Sequence, residues 1–153
     1  MIEDQTYTIK EYPEEAKKRL ETLLEETKEA RNTLDKLDEL ISITPAPTIE
    51  TLTNWARQAI GRGNYLRKRW AKLEAAAINE KDNRYLEIKM ECNKKKITFI
   101  DASAKTEAEA YIAPLRTIRN ILEAYVVSAD NLVSVCRMHL YKQQEEQISE
   151  KDL

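Results

Sequence analysis

From Pro13 to Ile41, small or apolar residues recur at Ala16, Leu20, Leu23, Thr27, Ala30, Leu34, Leu37 and Ile41. Alternating steps of four and three are the seam of a coiled-coil-like helix, and the spacing predicts one helix over this stretch, with Pro13 suited to its first turn. Leu24 and Leu40 widen the stripe, so the helix needs a partner. Pro45 and Pro47 then disfavour helix at the residues before them, and Thr48 can cap a second helix starting near Ile49. Leu52, Trp55, Ala59 and Ile60 share one side of it. Gly61 and Gly63 are expected to weaken or bend it, after which Leu66, Trp70, Leu73 and Ala77 resume the pattern and Tyr85, Ile88 and Cys92 extend it to about residue 92.

Asn93 to Asp101 is the expected reversal, a lysine triplet followed by the β-prone group Ile97, Thr98, Phe99 and Ile100. Thr106 and Glu109 have the spacing of a capping box and predict the start of a last helix. Its seam runs through Tyr111, Leu115, Ile118, Leu122, Tyr125, Ala129, Leu132, Cys136 and His139. Pro114 either begins the regular part or marks a kink. Ile112, Ile121, Val126, Val127, Val133 and Val135 broaden the stripe beyond a two-helix seam, and from Lys142 onward the polar chain is expected to fray. A helix over 106–141 would be about 54 Å long at about 1.5 Å per residue, longer than a globule of this size is wide. The pattern therefore predicts an all-α fold of long helices in an antiparallel hairpin or bundle with coiled-coil-like packing. It also predicts a homo-oligomer joined through Leu115, Ile118, Leu122, Tyr125 and Leu132. The segments are an acidic coiled-coil-like helix (1–44), a proline linker (45–48), a basic arm and loop (49–101) and an oligomerisation helix (102–153).

Composition supports helices: in 153 residues there are only 2 Gly and 4 Pro, with 34% charged residues. No apolar run is long enough to cross a bilayer or to form a signal-peptide core, so a soluble, cytoplasmic protein without a membrane partner is expected. Cys92 and Cys136 read as buried free thiols. The net charge of −2 conceals a strong asymmetry. Residues 1–50 hold 7 basic against 13 acidic residues, residues 51–100 hold 12 against 5, and residues 101–153 hold 6 against 9. A local field of one sign attracts a partner of the other whatever the total charge.

The most basic window is Thr51 to Leu73, where Arg57, Arg62, Arg67, Lys68, Arg69 and Lys72 occur with no Asp or Glu. Such cations neutralise successive phosphates of a single strand, and the interleaved Trp55, Tyr65 and Trp70 are of the type that stacks on bases. The spacing of Trp55 and Trp70 matches the apolar stripe, however, which reads them as core. Lys94, Lys95 and Lys96 form a second cluster, either a solvated turn or a supplementary phosphate contact. Gly61-Arg62-Gly63 follows no strand and lacks the Walker or dinucleotide pattern, so nucleotide hydrolysis is not expected. No Ser or Cys has a histidine motif around it, and His139 falls on the apolar stripe as a packed residue. The chain reads as a non-enzyme with neither metal nor cofactor.

Tyr65 to Ala75, with Trp55 upstream, resembles the basic helical segment of phage recombination mediators of UvsY type. Ala102 to Lys105 and Ile121 to Ser128 resemble that family's C-terminal helix, and the resemblance covers about residues 50 to 140. It implies a noncatalytic, all-helical, ring-forming protein that binds single-stranded DNA. Such a protein helps load a recombinase onto strands covered by single-strand binding protein. Arg67, Lys68 and Lys72 match basic positions of the family pattern. The leading expectation is thus an oligomeric single-stranded DNA-binding recombination accessory protein. The alternatives are a structural coiled-coil, virion or scaffold component, and a small helical subunit of an RNA-guided complex.

Overall fold

A computed structural model describes residues 7–153. Its secondary structure among these residues is entirely helical: α1 (Glu14–Glu26), α2 (Lys28–Ile43), α3 (Ile49–Lys95), α4 (Asp101–Tyr111) and α5 (Ala113–Lys151). The chain divides into two units, one of residues 7–24 with Ala71–Asn120, the other of Glu25–Trp70 with Ile121–Leu153. Helices α3 and α5 each contribute a segment to both.

Several local signals act as expected. Lys17 N–H donates to the Pro13 carbonyl, so Pro13 ends the extended lead-in to α1. Thr48 caps α3, its Oγ1 accepting from Thr51 N–H at 3.1 Å and its carbonyl from Leu52 N–H at 2.9 Å. At the other end of α3, Ile97 N–H reaches the Cys92 carbonyl and Lys96 N–H the Asn93 carbonyl, with Lys96 at φ 56°. That is a Schellman closure with lysine where glycine is usual. The loop that follows contains no strand. Ile97 and Phe99 instead fold back onto Ile88, Cys92 and Ala104.

Other expectations need correction. The single N-terminal helix is two, divided at Thr27, which is fully buried. The Thr106–Glu109 box does not start a helix. Asp101 does, and Thr106 Oγ1 donates back to the Ala102 carbonyl inside α4. The last helix starts afresh after Ile112, the first of the two outcomes open to Pro114, which has no N–H to offer the carbonyl four residues back and whose ring would strike it. The polar end does not fray: α5 continues to Lys151, built from good helix formers, and Gln143 donates to the Pro47 carbonyl at 2.7 Å. His139 is exposed, because the seam drifts toward Leu140 after Cys136.

In the second unit, α2, the start of α3 and most of α5 enclose Leu34, Leu37, Leu52, Leu66, Leu122 and Cys136. Contacts pairing Pro47 with Gln143 and Arg67 with Asp130 make α3 and α5 antiparallel. The helix does not break at its glycines. Gly63 is buried, and a Cβ there would lie 2.7 Å from the Ala129 Cβ, so its missing side chain sets the close approach of α5. Gly61 faces open space.

In the first unit, Leu73, Ala77, Ile88 and Cys92 of α3 are buried, as are Leu20, Ala104, Ala108 and Leu115, and Ile88, Cys92 and Ala104 share one apolar cluster. Residues 7–13 lie along α3 and are tied to it: Thr8 Oγ1 donates to Glu91 at 2.8 Å and Lys10 pairs with Glu87 at 3.1 Å. Tyr12 meets Tyr111 edge to face at 5.6 Å. Burial, then its hydrogen bond to Glu80, raises the Tyr12 hydroxyl pKa. Arg84 is only 4% exposed; it pairs with Glu107 and Glu87 and donates to the Thr8 carbonyl at 2.9 Å. Burial opposes its charge, yet these two carboxylates outweigh that and raise its pKa. The two free cysteines are both buried, one in each unit.

Two outcomes follow from this packing. Gly63→Ala destabilises the protein by about 1–3 kcal/mol through overpacking against Ala129, whereas Gly61→Ala stabilises it by about 0.5–1 kcal/mol, as urea unfolding will measure. The second concerns pH: hydrogen bonds from Lys95 and Thr8 hold Glu91 down to about 2, from an ordinary 4.5. A depressed carboxyl pKa contributes stability above its unfolded value that is lost as pH falls toward its folded one. Melting temperature will therefore drop between pH 4.5 and 2, and Glu91→Gln will lower it at pH 7 while flattening that acid limb.

Candidate nucleic-acid interface

Within the second unit, α3 turns Leu52, Trp55, Ala59, Gly63 and Leu66 inward. At about 100° per residue, Arg57 and Lys68 fall on the opposite face, while Arg62 and Arg69 flank the buried stripe on one side and Arg67 on the other. The side chains follow this arithmetic. Arg57 and Lys68 are exposed and make no ion pair among the described residues. Arg62 reaches Glu29 of α2 at 3.2 Å, and Arg67 reaches Asp130 of α5 at 2.6 Å. Arg69 stacks on Tyr65, its guanidinium carbon 3.5 Å from the ring centroid, and donates to the Tyr65 carbonyl at 3.1 Å.

The six cations therefore do not form one strip. Three consecutive basic residues, Arg67, Lys68 and Arg69, must splay around a helix, since only residues three or four apart share a face. Lys72, one turn beyond Lys68 along α3 and assigned to the first unit, is exposed and unpaired among the described residues. The acid partners come from other helices, which is why an acid-free window in the sequence does not give an acid-free surface. Both pairs are weak: Arg67 and Asp130 are 47% and 61% exposed, and such exposed pairs are typically worth about 0.2–1 kcal/mol.

The aromatics are largely committed elsewhere. Trp55 is buried in the core, Trp70 is half-buried, and Tyr65 carries Arg69 on its ring and donates to the Glu26 carbonyl at 3.4 Å. The core reading of Trp55 thus agrees with the packing. In the first unit, Lys95 pairs with Glu91 at 2.7 Å, while Lys94 and Lys96 stay exposed. Positive charge at the C-terminal end of α3 complements the helix dipole, a structural use for the triplet.

The residues expected to join copies of the chain are largely used within it. Leu115, Leu122 and Leu132 are at most 3% exposed, filled by the chain's own helices. Ile118 is half-buried, and Tyr125 is half-buried with its hydroxyl donating to Asp35 at 2.8 Å. A heptad seam looks the same whether its partner belongs to the same chain or another. Burial pushes the Cys136 thiol pKa up, consistent with a core residue rather than a reactive thiol.

One cation was missed by reading α3 alone. Arg137 of α5 is exposed and lines, with Arg67 and Asn64, a groove of about 380 Å³ between α3 and α5 in the second unit. Its only sequence signal is its place two turns after Asp130, on the same face of α5. Comparison with known proteins finds no matching family model, curated protein or solved structure.

Proposed function

We propose that the chain is a noncatalytic single-stranded DNA-binding accessory protein of recombination that acts as a homo-oligomer beside a recombinase and a single-strand binding protein. The observation that carries the reading is the outward face of α3. Arg57 and Lys68 are exposed and unpaired among the described residues within a 23-residue stretch free of acids, and Lys72 follows Lys68 by one turn. A few such cations per copy bind weakly by themselves, and repetition across copies converts that into strong, salt-sensitive binding. With the leucine seam of α5 consumed inside the chain, its exposed Val127, Met138, Tyr141 and Ile148 are the large apolar positions left for self-association.

Fluorescence anisotropy with oligo-dT at two salt concentrations tests the reading. Arg57→Ala, Lys68→Ala and Lys72→Ala together will weaken binding at least about tenfold at low salt and flatten the log–log salt slope by about 2, with helicity unchanged. RNA and duplex, titrated in parallel, distinguish the RNA-guided alternative. Met138→Glu with Tyr141→Glu will reduce the mass seen by light scattering to that of one chain. A second reading, a helical scaffold component, is favoured by the engagement of Arg62, Arg67 and Arg69 with Glu29, Asp130 and Tyr65. It predicts no salt-dependent binding to any of the three nucleic acids.

A further inference from the structure

We infer that the groove between α3 and α5 in the second unit is a phosphodiester-binding site, and that Asp130 occupies Arg67 in place of the phosphate until a strand arrives. The inference rests on the proposed nucleic-acid reading and adds to it a site and its regulation. Arg67 and Arg137 line the groove with the neutral polar side chains of Asn64 and Ser134, and Asp130 is its one carboxylate. The close approach of α5 at Gly63 brings these walls together.

A guanidinium fork fits two oxygens of a carboxylate or of a phosphodiester, so one anion can replace the other on Arg67 without leaving that cation bare. The replacement is easy because Arg67 and Asp130 are both half-exposed and water takes up the released carboxylate. Arg137 makes no ion pair among the described residues, so it adds an uncommitted positive charge that Asp130 does not balance. Asp130 would then lower affinity for loosely held anions and leave the groove to ligands that bring further contacts, such as a strand also held by Arg57 and Lys68 on the outer face of α3. Acidic peptides offer the same charge on a different frame, but a polynucleotide supplies its anions at a regular spacing to match several cations.

The test uses the full chain, oligo-dT and polyglutamate, with anisotropy as readout and circular dichroism as the folding control. Asp130→Asn keeps a hydrogen-bonding side chain of the same size while removing the charge, and is expected to tighten oligo-dT binding about three- to tenfold at low salt. Arg137→Gln, on the same helix but outside the ion pair, is expected to weaken it by a similar factor. If the natural chain binds oligo-dT and both variants bind it equally well, the groove is not the site while the broader reading stands. If the natural chain fails to bind oligo-dT at low salt, both fall. Tighter binding of polyglutamate alone by Asp130→Asn overturns the phosphodiester assignment.

Discussion

The angular spacing of residues around α3 governs most of what this protein can do. One helix of 47 residues, capped by Thr48 and closed by the Lys96 turn, supplies a wall to the core of each unit. Each buried position commits its neighbours: a residue one step away lies on a flank, and a residue two steps away lies outside. The cations of the basic window are distributed by that rule rather than by their closeness in sequence.

Charge is handled differently in the two units. In the first, Arg84 is buried and surrounded by Glu107, Glu87 and the Thr8 carbonyl, so an interior charge is matched nearly completely, with only its Nε lacking a partner among the described residues. Such a cluster fixes where residues 7–13 lie along α3, since a buried charge without its partners is far costlier than a surface one. In the second unit, Arg62 and Arg67 meet Glu29 and Asp130 at the surface, where water screens both partners and the pairs are exchangeable. The first arrangement supports architecture, and the second suits a surface that meets an external anion.

The elements were legible where chemistry is local. The proline pair before Thr48, the threonine cap, the apolar stripe of α3 and the reversal after Cys92 each follow from the preferences of a few neighbouring residues. The break at Thr27 was less legible, because a regular seam continues through it and masks a one-residue interruption, whereas Pro114 marked the break at Ile112. The persistence of α5 past Lys142 rests partly on a non-local contact, since the Pro47 carbonyl that receives Gln143 is 96 residues away.

Sequence alone determined the helical class, the position of the main loops, the buried cysteines and the existence of a basic segment, because periodicity, capping and composition act over a few residues at a time. Tertiary structure decided which cations remain free, which leucines are already covered, and that Arg137 joins Arg67 in one groove. Those outcomes depend on which distant helix lies opposite each face, and Glu29, Asp130 and Ala129 reach α3 only once the chain has folded back on itself.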